Sequence, residues 1–317
     1  MTLPNSAITP GRSSGKGTLH TPSRREFLER VVSLAGAALL SPAIVSAAEA
    51  AAKRTAVDQV TLGKTGIKLS RLGFGAGSNS GNVQKALGQQ AFNDLIRYAY
   101  DKGITYFDCA QSYQTFPWLG GAIKGLPREK LYIQSKIGGQ PQDILAAIDR
   151  HRQTYNTDYV DSMLIHCMIK DGWTDQMKRI MDGFDQAKEK KWIRAKGVSC
   201  HSLPALRTAA ASDWVEVNLV RVNPQAKWID GPEEQVFKSG DDVAPVIKEI
   251  KTAREKGHGV IGMKLIGNGD FKNAEDREKA IRFAMAQSEI DAVVIGFKSR
   301  EEIDEAIERM NRALAAA

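Results

Sequence analysis

Residues Gly103 to Tyr113 read G-I-T-Y-F-D-C-A-Q-S-Y, a short apolar run that ends in Asp108 and is followed by a tyrosine. A carboxylate at the tip of a buried strand is costly unless another group pairs with it. Two later apolar runs end in the same way, the first in Lys136 and the second in His166. The candidate proton-transfer set at these three strand ends is Asp108, Tyr113, Lys136 and His166.

The pattern of a short apolar strand, a polar loop and a helix of ~10–15 residues recurs along the chain. The predicted strands are Leu72–Phe74, Tyr106–Asp108, Leu131–Ser135, Ser162–His166, Ala195–Val198, Val217–Val220, Val260–Met263 and Ala292–Ile295. The predicted helices lie near 89–102, 117–124, 141–155, 175–190, 203–211, 242–256, 276–287 and 300–315. Eight alternating pairs in one domain, residues 53–317, predict an α/β fold, a parallel (β/α)8 TIM barrel of ordinary size.

Two features bear on this fold. The alternative, an open doubly wound sheet, lacks support because no G-x-G-x-x-G opens a helix after the first strand. Before the barrel, Val57 to Leu62 and Ile67 to Leu69 are strand-like, and the Lys64–Gly66 turn between them predicts an N-terminal β-hairpin.

The N-terminal residues 1–47 have the features of an export signal rather than of a folded segment. Ser23-Arg24-Arg25-Glu26-Phe27-Leu28 precedes an apolar run from Val31 to Val45, and small residues near 47–50 fit a cleavage site. The segment resembles a twin-arginine signal, which implies the Tat export machinery as a partner and a periplasmic or secreted location. The apolar run is shorter than the ~20 residues that span a bilayer, so no stable membrane span is expected in the mature protein. A chance arginine pair before an amphipathic helix and an uncleaved anchor remain open.

The composition excludes some classes of function. The chain of 317 residues is 42% hydrophobic and 26% charged with a net charge of +7, but it has no concentrated basic tract, so no nucleic-acid partner is expected. Three cysteines give no disulfide framework. Cys109, Cys167, Cys200 and His201 could suggest zinc. Strand neighbours point to opposite faces, so buried small residues are the better interpretation and no metal is predicted.

Five further segments carry a family resemblance. They are L-G-K-T-G at 62–66, L-G-F-G at 72–75, D-Y-V-D-S-M-L-I-H at 158–166, K-W-I-R-A-K-G-V-S at 191–199 and V-I-G-F-K-S at 294–299. Together with the four-residue set, they resemble the aldo/keto reductases, (β/α) barrels that use a nicotinamide cofactor. The resemblance extends from residue 57 to about residue 306.

The resemblance implies an oxidoreductase that reduces an aldehyde or ketone. Hydride would come from the nicotinamide and the proton from Tyr113. A free tyrosine, with a pKa of ~10, is a weak acid at neutral pH, and the ammonium of Lys136 is expected to lower that pKa. Asp108 would hold Lys136 in place, and His166 would orient or polarise the carbonyl.

The resemblance also implies a set of cofactor contacts: Gly75, Ser199, Asn223, Met263, Lys264, Gly267, Lys298, Ser299 and Glu302. Cationic residues at the start of the last helix favour NADP(H) over NAD(H), although NAD(H) remains possible. Three positions depart from the family pattern, with Cys200 in place of asparagine, Leu219 in place of glutamine and Met263 in place of a stacking aromatic. These departures favour the alternative of a non-catalytic barrel that serves as a ligand-binding or regulatory partner. The sequence names neither the carbonyl substrate nor the oligomeric state.

Overall fold

The computed structural model describes residues 54–316, and the predicted signal and its cleavage region lie outside the described residues. The described part begins with an antiparallel pair, β1 (Gln59–Thr61) and β2 (Lys68–Ser70), joined by a 3-10 turn at Gly63–Thr65. The predicted N-terminal hairpin is therefore confirmed, although both strands are shorter or shifted relative to the predicted ones.

Eight parallel strands then close into a barrel in which β10 pairs with β3. The strands are β3 (Leu72–Gly75), β4 (Tyr106–Asp108), β5 (Tyr132–Ile137), β6 (Val160–Met168), β7 (Ile193–Cys200), β8 (Val217–Arg221), β9 (Gly259–Met263) and β10 (Ala292–Ile295). Each strand pairs with its neighbours in chain order, so the predicted (β/α)8 barrel is confirmed.

Nine α-helices occur in residues 54–316, and eight of them correspond to the predicted helices. They are α1 (Asn82–Lys85), α2 (Gln89–Asp101), α3 (Phe116–Ile123), α4 (Ile144–Tyr155), α5 (Trp173–Glu189), α6 (Leu203–Ala211), α7 (Ala244–Glu255), α8 (Ala274–Met285) and α9 (Arg300–Ala315). The additional helix, α1, is a single turn in the loop after β3. No helix in the described residues is long and apolar enough to cross a membrane.

Two strands extend beyond the predicted ends. The prediction ended β5 before Lys136, but the strand continues to Ile137 because the lysine side chain is paired inside the barrel. The prediction ended β6 at His166, but the strand continues to Met168 through a register shift after Ile165. Polar side chains that find buried partners do not end a strand.

The core has two layers. The larger layer lies between the barrel and the helices, and the smaller one fills the barrel interior. Leu62, Ile67 and Leu69 of the hairpin region belong to the interior layer, and Leu62 contacts Gly259 at the start of β9. The hairpin therefore closes the N-terminal end of the barrel, and the strand C-terminal ends form the mouth where active sites of this fold lie.

Candidate active site

A buried ion pair lies at the floor of the barrel mouth. Asp108 is the last residue of β4, and Lys136 is the fifth residue of the adjacent strand β5. The lysine Nζ donates to Asp108 Oδ1 at 2.6 Å, to Oδ2 at 2.8 Å and to the Cys109 carbonyl at 2.9 Å. Burial acts to lower the pKa of Lys136, but the facing Asp108 carboxylate raises it overall. The lysine is therefore held as an ammonium with all three of its protons donated.

The other two predicted residues lie directly above this pair. The Lys136 Nζ is 5.1 Å from the ring centroid of Tyr113, which lies in the loop between β4 and α3. The Tyr113 ring meets His166 edge to face, with 5.6 Å between ring centroids. A Cβ atom at Gly77 would lie 2.1 Å from the Tyr113 ring, so the ring can adopt this place only beside a glycine. The structure thus brings the four predicted residues together.

The protonation of these groups differs in part from the expectation. Burial raises the pKa of Tyr113 to about 12, although Lys136 acts to lower it. The expected net lowering is therefore wrong for the free protein, because desolvation of the phenolate outweighs the ammonium. Burial, with Lys136 and Lys264 nearby, lowers the pKa of His166 to about 3. At neutral pH the site holds a protonated phenol and an uncharged imidazole.

A cleft of about 530 Å³ opens above the ion pair and extends to the start of α9. The predicted residues that line the cleft are Gly75, Asp108, Tyr113, Ser199, Met263, Lys264, Lys298 and Glu302. Lys136 lies below the floor. Asn223, Gly267 and Ser299 do not line the cleft, and His166 is outside its lining but is partly exposed beside the Tyr113 ring. Asn223 instead donates to the backbone carbonyls of Lys227 and Lys264, so it positions the Lys264 backbone.

The wall of the cleft beside Tyr113 fits a flat apolar ring with one polar edge. Leu219 and Met263 line this wall, and the Ser199 hydroxyl is buried with no hydrogen-bond partner among the described residues. A buried hydroxyl left unpaired is suited to bind an incoming polar group. Cys200 lies in the outer apolar layer, toward the helices, and does not line the cleft. The residues present therefore fit a nicotinamide ring, although they offer its carboxamide few partners.

The far end of the cleft is charged. Lys298 and Glu302 line it, and the Glu302 carboxylate accepts a hydrogen bond from the Lys298 backbone N–H at 2.9 Å. Ser299 is the N-cap residue of α9 and accepts from the Glu302 N–H. The guanidinium of Arg300 lies over the Tyr98 ring at 4.9 Å from its centroid, so it is directed away from the cleft. Of the cations at this helix start, Lys298 is the one in position to meet a ligand in the cleft.

Sequence reasoning did not identify several residues around the cleft. Arg277 and Arg309 line its far end, but they lie within helices, where no local pattern marks them. His201 lines the end of the cleft near Tyr113. The centroid of its ring is 6.3 Å from that of the His166 ring. Its position just after β7 is a usable signal, because active-site residues of this fold follow strand ends. Gln134, the partner of Asp108 inside the barrel, was also missed.

Lys264 is a cation of the cleft wall that has no carboxylate partner among the described residues. Its Nζ donates to Asn268 Oδ1 at 2.7 Å, and no ion pair includes it within residues 54–316. Burial, with Arg221 and Lys136 nearby, lowers its pKa to about 8. Its φ of 60° is in the left-handed region, an uncommon conformation for a residue other than glycine. Within the described range, no group of three or more His, Cys, Asp or Glu side chains could hold a metal ion.

Comparison with known proteins agrees with this geometry. The sequence model of the Aldo/keto reductase family matches residues 71–281. The chain is 25% identical over 230 residues to a probable aldo-keto reductase 1 of Glycine max, covering 68% of this chain and 61% of that protein. It is 25% identical over 173 residues to an NAD/NADP-dependent indole-3-acetaldehyde reductase of Schizosaccharomyces pombe, covering 50% of this chain and 58% of that protein. The matched segments thus span about three fifths of these two relatives.

Solved structures share the fold. A putative aldo-keto reductase from Pseudomonas aeruginosa superposes with a TM-score of 0.66 at 19% identity, over 83% of this chain and 98% of that one. An aldo-keto reductase from Bacillus halodurans in its holo form gives a TM-score of 0.64 at 15% identity, over 81% and 95% of the two chains. The family match covers most of the barrel and includes the strands that carry Asp108, Lys136 and His166. The chain therefore belongs to the aldo/keto reductase family.

Proposed function

We propose that this protein is an NAD(P)H-dependent oxidoreductase that reduces an aldehyde or ketone to an alcohol, with NADP(H) as the preferred cofactor. The observation that carries the proposal is the buried Asp108–Lys136 pair below Tyr113, with His166 against the same ring. A buried ion pair is costly to desolvate, and a barrel that only binds a ligand does not need one. The name of the Schizosaccharomyces pombe relative, an NAD/NADP-dependent aldehyde reductase, supports the same cofactor and substrate class.

The bound cofactor would supply a hydride to the carbonyl carbon. Ser199 would bind the carboxamide through its unpaired hydroxyl, and Leu219 and Met263 would pack against the ring. Tyr113 would donate its proton to the carbonyl oxygen, and the uncharged His166 would donate an N–H to the same oxygen. These two donors would orient the carbonyl and stabilise the negative charge that develops on it.

Lys136 and Asp108 act on the phenol rather than on the substrate. Because the pKa of Tyr113 is about 12, the phenol keeps its proton until charge develops on the substrate oxygen. The Lys136 ammonium then offsets the charge of the resulting phenolate. Asp108 keeps the lysine charged and in place. Tyr113 regains its proton from solvent when the alcohol leaves.

The preference for NADP(H) is supported by the charges at the far end of the cleft. Four cationic side chains and three carboxylates line it, and they are Lys272, Arg277, Lys298, Arg309, Asp270, Glu302 and Glu305. Arg277 and Arg309 both pair closely with Glu305, whereas Lys298 makes a longer contact of 3.7 Å with Glu302 and keeps 63% of its side chain exposed. A phosphate on the adenosine ribose would accept a charge-assisted hydrogen bond from it.

The test of the proposal is Tyr113→Phe. We expect turnover with a panel of aldehydes and ketones to fall at least ~10²-fold, the scale of general acid catalysis. Binding of NADPH, followed by quenching of tryptophan fluorescence, should not change. The matched control is Tyr159→Phe, whose ring lies outside the cleft beside Arg128. Unchanged turnover in Tyr113→Phe would rule out Tyr113 as the proton donor. Absence of turnover in the wild type would favour the non-catalytic barrel, the alternative that the departures at Leu219 and Met263 also favour.

We also propose that the protein is exported by the twin-arginine route. The support is the S-R-R-E-F-L segment at 23–28 and the apolar run after it. Arg24→Lys with Arg25→Lys should leave the precursor in the cytoplasm, since the pair is the recognition element of this signal. Cell fractionation measures the distribution, and Arg12→Lys is the matched control. Export of the double variant at the wild-type level would contradict this route.

A further inference from the structure

A row of polar side chains runs through the barrel interior below Asp108. The strand register places Gln134 of β5 between Asp108 of β4 and Ser162 of β6. Tyr106 and Tyr132 form the layer beneath, where β4 and β5 pair again. All of these except Asp108 are at most 1% exposed. Barrel interiors of this fold are usually filled with branched apolar side chains, so this row needs a reason.

The hydrogen bonds of the row run in one direction. The Tyr132 hydroxyl donates to Ser162 Oγ at 2.7 Å, and Ser162 donates to Gln134 Oε1 at 3.0 Å. Gln134 Nε2 then donates to Asp108 Oδ1 at 2.8 Å and to the Tyr106 hydroxyl at 2.9 Å. A carboxylate can only accept, so the amide must present its nitrogen to Asp108. Its oxygen is then correctly placed for the Ser162 hydroxyl.

Gln134 supplies what the lysine alone does not. Within the described residues, Lys136 and Gln134 are the two side chains that donate to the Asp108 carboxylate. Lys136 donates to both oxygens of the carboxylate, but its ammonium is a compact charge on a flexible four-carbon stem, so these bonds alone constrain the rotation of the carboxylate only weakly. The Gln134 amide is held at its other end by Ser162 and has no room to turn. The Gln134 amide, which lies deeper in the barrel, therefore sets the rotation of the Asp108 carboxylate.

We propose that Gln134 is a positioning residue of the reaction: it orients the Asp108 carboxylate and thereby holds the Lys136 ammonium at its place beneath Tyr113. Ser162 and Tyr132 take part by setting the orientation of the amide. This inference rests on the proposed function, because it acts through the proton donor. The polar row is then a support for proton transfer rather than a feature of barrel stability.

The first test is Gln134→Met, which keeps the length of the side chain and removes its amide. We expect kcat to fall by up to ~10²-fold, the cost of a small misplacement of a catalytic group. KM and the Kd for NADPH should stay near wild type, since the row does not line the cleft. Ser162→Ala should show a smaller loss and Tyr132→Phe the smallest, following distance from Asp108. Losses that follow the thermal midpoint instead of this order would overturn the assignment.

The second test is Gln134→Glu. Its readout is the pH dependence of kcat, which would not change if Gln134 only stabilised the fold. The charged groups that face this position are Asp108 and Lys136, and the phenols are Tyr106 and Tyr132. Burial and the Asp108 carboxylate should raise the pKa of the new carboxyl, and its protonated form can donate to Asp108 as the amide does. We expect kcat of this variant to rise as the pH is lowered. The kcat–pH profile of the wild type should show no such rise. A profile with the shape of the wild-type one would overturn the proposal, even if Gln134→Met does not fold.

Tyr113→Phe in the same assay separates the two proposals. If that variant loses turnover and Gln134→Met stays within ~3-fold of the wild-type kcat, far from the ~10²-fold of a misplaced group, only the positioning role fails. If Tyr113→Phe keeps full turnover, Tyr113 is not the proton donor, and the positioning role fails with it. If the wild type reduces no aldehyde or ketone, the proposed function itself fails.

Discussion

The two halves of the barrel interior are built from different chemistry. On β4 to β6, the inward side chains apart from the apolar Leu164 are hydrogen-bonded to one another, and the row ends at Asp108 and Lys136. On β7 to β10, the inward positions carry small or apolar side chains, and these are Ala195, Val217, Leu219, Ile261, Met263, Ala292 and Val294. The polar half lies under the proposed proton donor, and the apolar half forms the wall that would face the nicotinamide.

The difference follows from what each half has to specify. Hydrogen bonds weaken steeply as they bend, so a chain of them fixes the direction of a carboxylate. Packing contacts have no such directional preference, so they hold a flat ring by its shape and constrain its orientation less. Substitutions in the polar half should therefore reduce turnover, and substitutions in the apolar half should alter the orientation of the bound cofactor.

The largest effect is expected when the ion pair of the polar half is broken. Lys136→Met leaves Asp108 buried without its cation, and breaking a buried pair in this way costs ~3–5 kcal/mol of unfolding free energy. Adding Asp108→Asn removes the uncompensated charge, so most of that free energy should return, while turnover should stay at least ~10²-fold below wild type. Denaturant unfolding and steady-state kinetics measure the two effects.

The control for this pair is a lysine outside the barrel. Lys178 forms an exposed pair with Asp182 one turn away on α5, and exposed pairs contribute little to stability. Lys178→Met should therefore leave both unfolding and turnover unchanged. If the Lys136→Met single variant were as stable as wild type, the polar half would not depend on the ion pair.

A second prediction concerns Lys298, which would hold the phosphate end of the cofactor at the far end of the cleft. Lys298→Ala should weaken NADPH more than NADH, by about 10- to 100-fold for a charge-assisted hydrogen bond of ~1.5–3 kcal/mol. The control is Arg300→Ala, because that guanidinium lies over Tyr98 and away from the cleft. Fluorescence titration gives both affinities. Equal losses of affinity for the two cofactors would mean that a residue other than Lys298 contacts the extra phosphate.

A third prediction tests whether the apolar wall limits the rate. Leu219 lines the cleft, so Leu219→Gln would present an amide to the carboxamide and should raise the single-turnover rate ~10-fold, part of the ~10²-fold that misplacement can cost. Cys200→Asn is the matched comparison, because its side chain lies in the outer apolar layer. That amide would be buried without a partner and should cost ~1–3 kcal/mol of stability with no gain in rate. A folded Leu219→Gln no faster than wild type would mean that the apolar wall suits the bound cofactor as it is.

The barrel and the grouping of the four proposed catalytic residues could be predicted because each has a local signal. Apolar runs that end in Asp108, Lys136 and His166 place these residues at, or within two residues of, three strand ends, and strand ends meet at one mouth in a parallel barrel. The start of the last helix was similarly visible, since the helix predicted near 300–315 matches α9. These features depend on residues close together in the sequence.

The features that were missed depend on residues far apart in the sequence. Gln134 is an ordinary strand residue until the register places it beside Asp108, 26 residues earlier. The pKa of Tyr113 depends on how much of the ring is buried, so its rise to about 12 could not be read from the nearby lysine. Whether Cys200 or Leu219 faces the cleft depends on the pleat of each strand, which a family pattern does not give.

The smallest predicted effect compares the two faces of β5. Gln134 faces inward, while Ser135 faces outward and its Oγ lies 2.8 Å from His151 Nδ1 of α4. The other ring nitrogen of this buried histidine has no partner among the described residues. Burial, with Arg150 nearby, lowers the pKa of His151 to about 3. The outward face of the strand thus packs against a buried histidine, and the inward row contains none.

The sign of its effect on stability follows from linkage. Above pH 6.5 the histidine is neutral in both states and contributes no pH dependence. As the pH falls below 6.5, the unfolded chain binds a proton that the folded protein refuses until about pH 3, so folding is destabilised. Between pH 7.5 and 5.5 this amounts to about 1.3 kcal/mol for one histidine. His151→Asn keeps a partner for Ser135 and removes the titrating group. The unfolding free energy of the variant should therefore change by that amount less than the wild-type value between pH 7.5 and 5.5. Denaturant unfolding at several pH values measures both slopes, and equal slopes for wild type and variant would mean that His151 titrates with the same pKa in the folded and the unfolded protein.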